Sequence, residues 1–188
     1  MKLSLATLTL LLAACASHPS APVQAPTEKQ VEVVPPKPTD KVVDRSKWSI
    51  TLPGTWIVRP GPSPVKGRVT QDLVARSVEN VGAGPIVVAV MVVDLNEADD
   101  PKDEEFGAAA IMSTMRQGVN VIKATPTLVD GKPGSLAMFH APSGMLIIQE
   151  AVGHNRSGIV ARCGGDIDQG GKIIEACQPI LESLHLKK

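Results

Sequence analysis

Apolar and polar residues alternate from Trp48 to Leu52, an extended pattern resumes after a turn, and a run of mixed character follows at Val69–Glu79. Such alternation is typical of strands that bury one face, because successive side chains of a strand point to opposite sides of the sheet. Gly and Pro residues interrupt the alternation and predict turns or loops. The predicted strands are Trp48–Leu52, Thr55–Arg59 and Val69–Glu79, and the predicted connections are Pro53-Gly54, Pro60–Gly67 and Asn80–Pro85.

The run Ile86–Val93 differs from these strands because no polar residue interrupts it. A β-branched run of this kind predicts a strand that is covered on both faces, since a sheet with one solvated face would show alternation. We therefore expect a helix layer on each side of this strand.

A helix is predicted to follow. Asp100 is a candidate cap, Pro101 suits the first helical position, and the acidic residues 103–105 complement the positive end of the helix dipole. We expect the helix to end at Gly118. Apolar side chains recur at helical spacing and are expected to face the core rather than to form an exposed ligand surface; they are Ala108, Ile111, Met112, Met115 and Val119.

The remainder of the chain predicts an antiparallel meander and a final helix. Short turn sequences, among them Asp130-Gly131, separate four strand-like runs. The predicted strands are Asn120–Val129, Ser135–His140, Met145–Val152 and Ser157–Cys163. The predicted helix, Gly171–Leu184, has a narrow apolar stripe formed by Ile173, Cys177, Ile180, Leu181 and Leu184.

The two ends of this region carry a family resemblance. The segment Trp48–Trp56 reads WSITLPGTW, and Cys177–Leu186 reads CQPILESLHL. Both are similar to the PsbP-like family, which includes the DcrB-like bacterial envelope lipoproteins. The resemblance implies an α+β fold of the α/β/α sandwich type, with a central, mostly antiparallel sheet of about six to seven strands between helices. It implies no shared catalytic residues, and it implies roles as assembly factors, binding adaptors or envelope proteins.

The N-terminus carries a second resemblance. Lys2 precedes the apolar stretch Leu3–Leu12, which is too short to span a bilayer comfortably, and Ala13-Ala14-Cys15 follows at once. This pattern resembles the lipobox of bacterial lipoproteins. The resemblance implies that residues 1–14 are a cleaved signal peptide and that Cys15 is lipidated. We expect a protein anchored by lipid in the cell envelope, facing the periplasm, with Ala16 favouring the outer over the inner membrane.

Residues 15–46 are expected to form the lipidated Cys and a tether, and residues 47–188 the PsbP-like domain. The tether is rich in Pro, which fixes φ and removes a backbone donor, so polyproline II character is expected. Its main role is interpreted as spacing, and a docking motif within Val31–Pro36 is the alternative.

Charge and composition narrow the set of partners. Nineteen basic residues balance 19 acidic residues, and no basic stripe is present. Nucleic acid is therefore excluded as an expected partner. The chain has two Trp, two Phe and no Tyr, so it offers few aromatic platforms for sugars or bases. The expected partners are the membrane, through the lipid anchor, and an envelope protein.

Cys163 and Cys177 remain once Cys15 is assigned to lipid. In an exported, oxidising setting such a pair is typical of a disulfide. Two reduced thiols, or half of a metal site, are the alternatives. A metal site would need two further ligands, and no Cys-x-x-Cys or paired His accompanies the two residues.

Candidate catalytic and ligand-binding groups are few. Ser143, His140 or His154, and Asp130 contain the residue types of a hydrolase triad, although Ser143 lacks the Gly-x-Ser-x-Gly elbow. Gly164–Gly171 suggests a phosphate cradle or a calcium loop but matches neither spacing. The acidic loop Asp94–Asp100 is a candidate weak cation site. His18 and His185 complete the histidines and are interpreted as surface residues.

We therefore expect no catalytic residues, no cofactor and no metal site. The predicted function is non-catalytic binding or support of another envelope component. The alternatives are a phage-exclusion, immunity or envelope-homeostasis lipoprotein, as the DcrB-like resemblance implies, and an anchored hydrolase that uses His140 or His154.

Overall fold

The computed structural model describes residues 40–59 and 63–188. The expectations for the signal segment, Cys15 and most of the tether concern residues outside this part of the chain. The described residues lie within one compact unit. No helix among them is long and apolar enough to cross a membrane.

Two α-helices, one 3-10 turn and eleven strands make up the described part of the fold. The strands are β1 Lys41–Asp44, β2 Trp48–Leu52, β3 Ile57–Val58, β4 Ser63–Lys66, β5 Val69–Val81, β6 Gly84–Asp94, β7 Asn120–Val129, β8 Lys132–His140, β9 Met145–His154, β10 Ser157–Asp166 and β11 His185–Leu186. The helices are α1 Phe106–Met115 and α2 Gly170–Glu182, and the 3-10 turn is Ile167–Gln169.

The main sheet has the strand order β3-β5-β6-β10-β9-β8-β7, and β4 also pairs with β5. All of its pairings are antiparallel. The predicted meander is confirmed as β7–β10, and its first turn has positive φ at both Asp130 and Gly131, as an Asp-Gly hairpin turn requires. One loop prediction is wrong, because β4 occupies part of Pro60–Gly67 and extends the sheet beside β5.

Helices lie on both faces of the main sheet. Along β10, Ile159 and Cys163 point into the core under α2, whereas Val160 packs with α1 on the opposite face. A small sheet of order β1-β2-β11 adds Trp48 and other β2 residues to the core on the α2 side. The predicted α+β sandwich with a central antiparallel sheet is confirmed. The apolar stripe of α2 is confirmed as well, since all five of its residues are buried.

The prediction for α1 is wrong in both its start and its buried face. Asp100 does not cap the helix, because its carboxylate accepts a hydrogen bond from the Glu97 amide and pairs with Arg68 in the preceding loop. The helix begins only at Phe106. Met112 and Met115 are 55% and 48% exposed, so the methionine stripe faces solvent.

The buried face of α1 consists instead of Phe106, Gly107, Ala110 and Thr114. A Cβ atom on Gly158 would overlap the Phe106 ring, so this glycine of β10 provides the space that the ring fills. Gly107 comes so close to the β8 backbone that a Cβ atom would lie 2.9 Å from the Ser135 amide nitrogen. Because the helix approaches the sheet closely, its small residues face the sheet and its methionines face solvent.

The strand β6 is also covered less than predicted. Its residues alternate between buried, as at Val88 and Val90, and half-buried, as at Ala89. The half-buried face lies on the α1 side, and α1 packs mainly on β7, β8 and β9. The apolar run therefore indicates full cover on one face and only partial cover on the other.

Candidate functional site

A groove runs beside α2 on one face of the main sheet. The helix packs on β9 and β10, so the outer strands β7 and β8 are left open on this face. The strand register places Thr125, Leu136 and Glu150 in one row across β7, β8 and β9. The groove has a volume of about 380 Å³ and is lined by Lys123, Thr125, Thr127, Leu136, Ala137, Met138, Ile148, Glu150, Ile174, Gln178, Leu181 and Glu182.

The floor of the groove is apolar and its sides are polar. Leu136, Met138 and Ile148 come from the sheet, and Leu181 comes from α2. Leu136 remains 36% exposed although it lies near the middle of a sheet face. Because two threonines of β7 and the polar ends of α2 side chains flank this floor, the groove has an apolar base with hydrogen-bonding groups along its edges.

Glu150 lies in this groove with only 8% of its surface exposed. Its cross-strand neighbours are Leu136 and Ala161, so neither neighbour in its row offers a polar atom from a side chain. Within the described residues its carboxyl group has no hydrogen bond or ion pair that would compensate for burial. Burial, and to a smaller extent the negative charge of Glu182, raise its pKa to about 7.

The charged groups around Glu150 do not neutralise it. Glu182 ends α2, has the same sign, and accepts a hydrogen bond from the Gln178 side chain at 2.7 Å. Lys123 lines the far side of the groove on β7 and forms no ion pair with Glu150. Above pH 7 the groove therefore holds a largely buried negative charge without a counter-ion among the described residues.

The disulfide predicted between Cys163 and Cys177 is present, with the two Cα atoms 5.5 Å apart. Both residues are fully buried. The bond joins the middle of β10 to the middle of α2, and so it fixes the helix that forms one wall of the groove. The bond therefore takes the place of the two reduced thiols that were the alternative.

A second polar cluster lies on the opposite face, beneath the last turn of α1. Arg162 donates from Nε to Gln149 Oε1 at 2.8 Å and from its terminal nitrogen to Thr114 Oγ1 at 2.8 Å. The Thr114 hydroxyl also donates to the Ala110 carbonyl. Burial lowers the pKa of Arg162, and the side chain fastens the end of α1 to the sheet.

The hydrolase alternative requires Asp130 to pair with His140 or His154, and the structure shows neither pair. Asp130 accepts hydrogen bonds from the Leu186 amide at 2.6 Å, and its other oxygen lies 3.1 Å from His185 Nδ1. His154 contacts the Lys187 carbonyl at 2.9 Å. The structure therefore pairs Asp130 with His185, and not with His140 or His154, while Ser143 lies in the turn after β8.

The two other candidate loops have structural partners. Asp166 accepts hydrogen bonds from the amides of Ala83 and Asp168, which lower its pKa and join the 3-10 turn to the β5–β6 turn. In the acidic loop, Arg68 lies 3.3 Å from Glu97 and also pairs with Asp100. Within residues 40–59 and 63–188, no group of three or more His, Cys, Asp or Glu side chains has an arrangement that would hold a metal ion.

Sequence reasoning missed both Glu150 and Arg162. The available signal was the pair Gln149-Glu150, which interrupts the otherwise apolar run of β9 at its centre. Two adjacent polar residues in a central strand must point to opposite faces, so at least one of them needs an explanation.

Comparison with known proteins identifies the fold. No family model and no curated protein matches the sequence. Among solved structures, the cyanobacterial PsbP (CyanoP) of Synechocystis matches with a TM-score of 0.59 and 12% identity, over 79% of this chain and 92% of the other. A Pseudomonas aeruginosa protein of unknown function matches with a TM-score of 0.47 and 8% identity, over 79% and 98%. The likeness to CyanoP confirms a PsbP-like fold.

Proposed function

We propose that this protein is a lipid-anchored bacterial envelope lipoprotein whose domain binds another envelope protein, without catalysis, through the groove beside α2. The observation that carries the proposal is the groove itself, where the floor around Leu136 and Met138 is open on a face that α2 covers only in part. Apolar surface that a fold leaves open beside polar edges is typical of binding sites.

Two sequence features support the envelope location. The Leu12-Ala13-Ala14-Cys15 segment resembles a lipobox, and the Pro-rich residues after it suit a tether between membrane and domain. The buried disulfide is consistent with an oxidising compartment. The PsbP-like fold adds a precedent for binding and support roles, as the family resemblance implies.

Crosslinking in intact cells tests the proposal with the whole chain. A photoreactive amino acid replaces Gln178, which lines the groove, and in a matched chain it replaces Glu175, which is exposed and does not line the groove. We expect one reproducible protein adduct from position 178 and none from position 175. Equal adduct patterns at both positions, or no protein adduct at 178, would refute binding through the groove.

The anchor is tested separately by mass spectrometry of the purified chain. Removal of residues 1–14 and acylation of Cys15 are expected, and Cys15→Ser is expected to release the domain from membranes. An intact Met1 terminus would refute the lipoprotein assignment and leave the groove assignment standing.

A further inference from the structure

We infer that the groove receives a lysine or arginine side chain from an extended segment of the partner, whose positive charge binds the carboxylate of Glu150. This inference rests on the proposed function and gives the chemistry of its ligand. It starts from the position of Glu150, which is 8% exposed within a groove and lacks a polar partner among the described residues.

The surrounding charges favour a cation over other ligands. The groups that face Glu150 from the sheet are the apolar Leu136 and Ala161, and the nearest helix contributes Glu182, a second carboxylate. Two like charges that share a groove repel an anion and attract a cation. Lys123 lies in the neighbouring row, opposite Met138, so it adds a positive charge at one end of the groove rather than at Glu150.

The apolar floor suits the rest of a basic side chain. Lysine and arginine lay their methylene stems along apolar surface while the charged end reaches a polar group. Leu136, the cross-strand neighbour of Glu150, and Met138 in the next row provide that surface. The groove volume of about 380 Å³ accommodates such a side chain together with part of the adjacent residues of a bound peptide.

The edges of the groove favour a peptide segment over a free amine. β7 forms the open side of the groove and ends the strand order of the main sheet, so the described part of the protein does not close this side. The hydroxyl groups of Thr125 and Thr127 line it. Hydroxyl groups both donate and accept hydrogen bonds, and an extended backbone that crosses the groove presents both kinds of partner.

Binding of a designed peptide tests the inference. The probe is fluorescently labelled Leu-Thr-Lys-Thr-Leu amide, its control has norleucine in place of lysine, and binding to the whole chain carrying Cys15→Ser is followed by fluorescence anisotropy at pH 8. We expect the lysine peptide to bind, and Glu150→Gln to weaken it about 30-fold. Glu175→Gln, an exposed change on α2 outside the groove lining, is expected to leave the affinity unchanged.

Acidification gives a second measurement. Because the pKa of Glu150 is about 7, lowering the pH from 8 to 5.5 protonates most of the carboxylate and should weaken binding of the lysine peptide about 15-fold. The Glu150→Gln chain should show no such pH dependence. Equal binding of the norleucine peptide, or an unchanged affinity after Glu150→Gln, would overturn the inference.

Hexylammonium chloride as a competitor separates a peptide from a free amine. The inference expects displacement only at concentrations far above that of the peptide, and displacement at equal concentration would overturn the peptide assignment. The crosslinking experiment keeps the two proposals apart. If the adduct from position 178 persists at full yield in the Glu150→Gln chain, the groove binds a partner but Glu150 does not recognise it.

Discussion

Glu150→Gln is predicted to make folding stability less dependent on pH. Glutamine keeps the shape of the side chain and removes its ionisation. In the native chain the carboxyl has a pKa of about 7 because burial disfavours its charged form, whereas its ordinary value is 4.5. The folded state therefore holds the proton more tightly than the unfolded state does.

The sign and size of the effect follow from that difference. Below pH 4.5 the group is protonated in both states and carries no penalty. As the pH rises from 4.5 through 7, the unfolded state ionises first, and the free energy of unfolding falls by an amount that levels off above pH 7. The separation between the two pKa values corresponds to about 3 kcal/mol of lost stability.

Guanidinium denaturation at pH 4, 6 and 8 measures this effect on the whole chain carrying Cys15→Ser. The fluorescence of Trp48 and Trp56 reports unfolding, since both side chains are buried. From pH 4 to pH 8, the native chain should lose about 3 kcal/mol more of its free energy of unfolding than the Glu150→Gln chain does. Glu175→Gln is the exposed control and should lose as much as the native chain.

A difference between native and Glu150→Gln chains that stays within about 0.5 kcal/mol from pH 4 to pH 8 would refute the reasoning. That result would mean that water reaches the carboxyl in solution, or that a cation neutralises it. The first case would remove the burial on which the ligand inference stands. The second would show that the groove already contains its counter-ion.

Three further predictions concern the framework of the fold. Gly158→Ala should destabilise the fold by about 1–3 kcal/mol because its methyl group overlaps the Phe106 ring, whereas Gly171→Ala meets no atom within 4 Å and should not destabilise it, both by denaturant titration. Reducing the Cys163–Cys177 bond, whose residues are 14 apart, should cost about 3 kcal/mol in the same assay, and an unchanged midpoint would contradict this. Asp130→Ala should speed amide hydrogen exchange in β11 by removing the acceptor that holds it, and unchanged protection there would contradict the assigned role.

Local signals were sufficient for much of the fold. The meander β7–β10 follows from alternation and turn residues, and the buried face of α2 follows from a stripe that includes Cys177. Both features can be predicted from the residues of the segment itself, without information from a distant part of the chain. The disulfide prediction differs, because it also drew on the N-terminal lipobox resemblance, which implies an oxidising compartment for Cys163 and Cys177.

The orientation of α1 was not predictable in this way. Its buried face depends on Gly158 and on the β8 backbone near Ser135, which lie far from the helix in sequence. These positions admit an aromatic ring and small residues and leave the methionines outside. Helical periodicity identifies the apolar residues of a helix, but the shape of the opposing surface decides which of them are buried.

The position of Glu150 in the groove depends on the register between β9 and β10, which a slip of one residue would change. In the sheet, Arg162 lies opposite Gln149, and Glu150 lies opposite Ala161. A slip of β10 by one residue against β9 would place Arg162 opposite Glu150 and turn the Arg162 side chain to the α2 side of the sheet. The observed register therefore keeps the arginine on the α1 side, where Gln149 and Thr114 bind it, and leaves the carboxylate on the α2 side without that partner. Because the sheet itself separates the two charges, Glu150 remains available for a cation that comes from outside the domain.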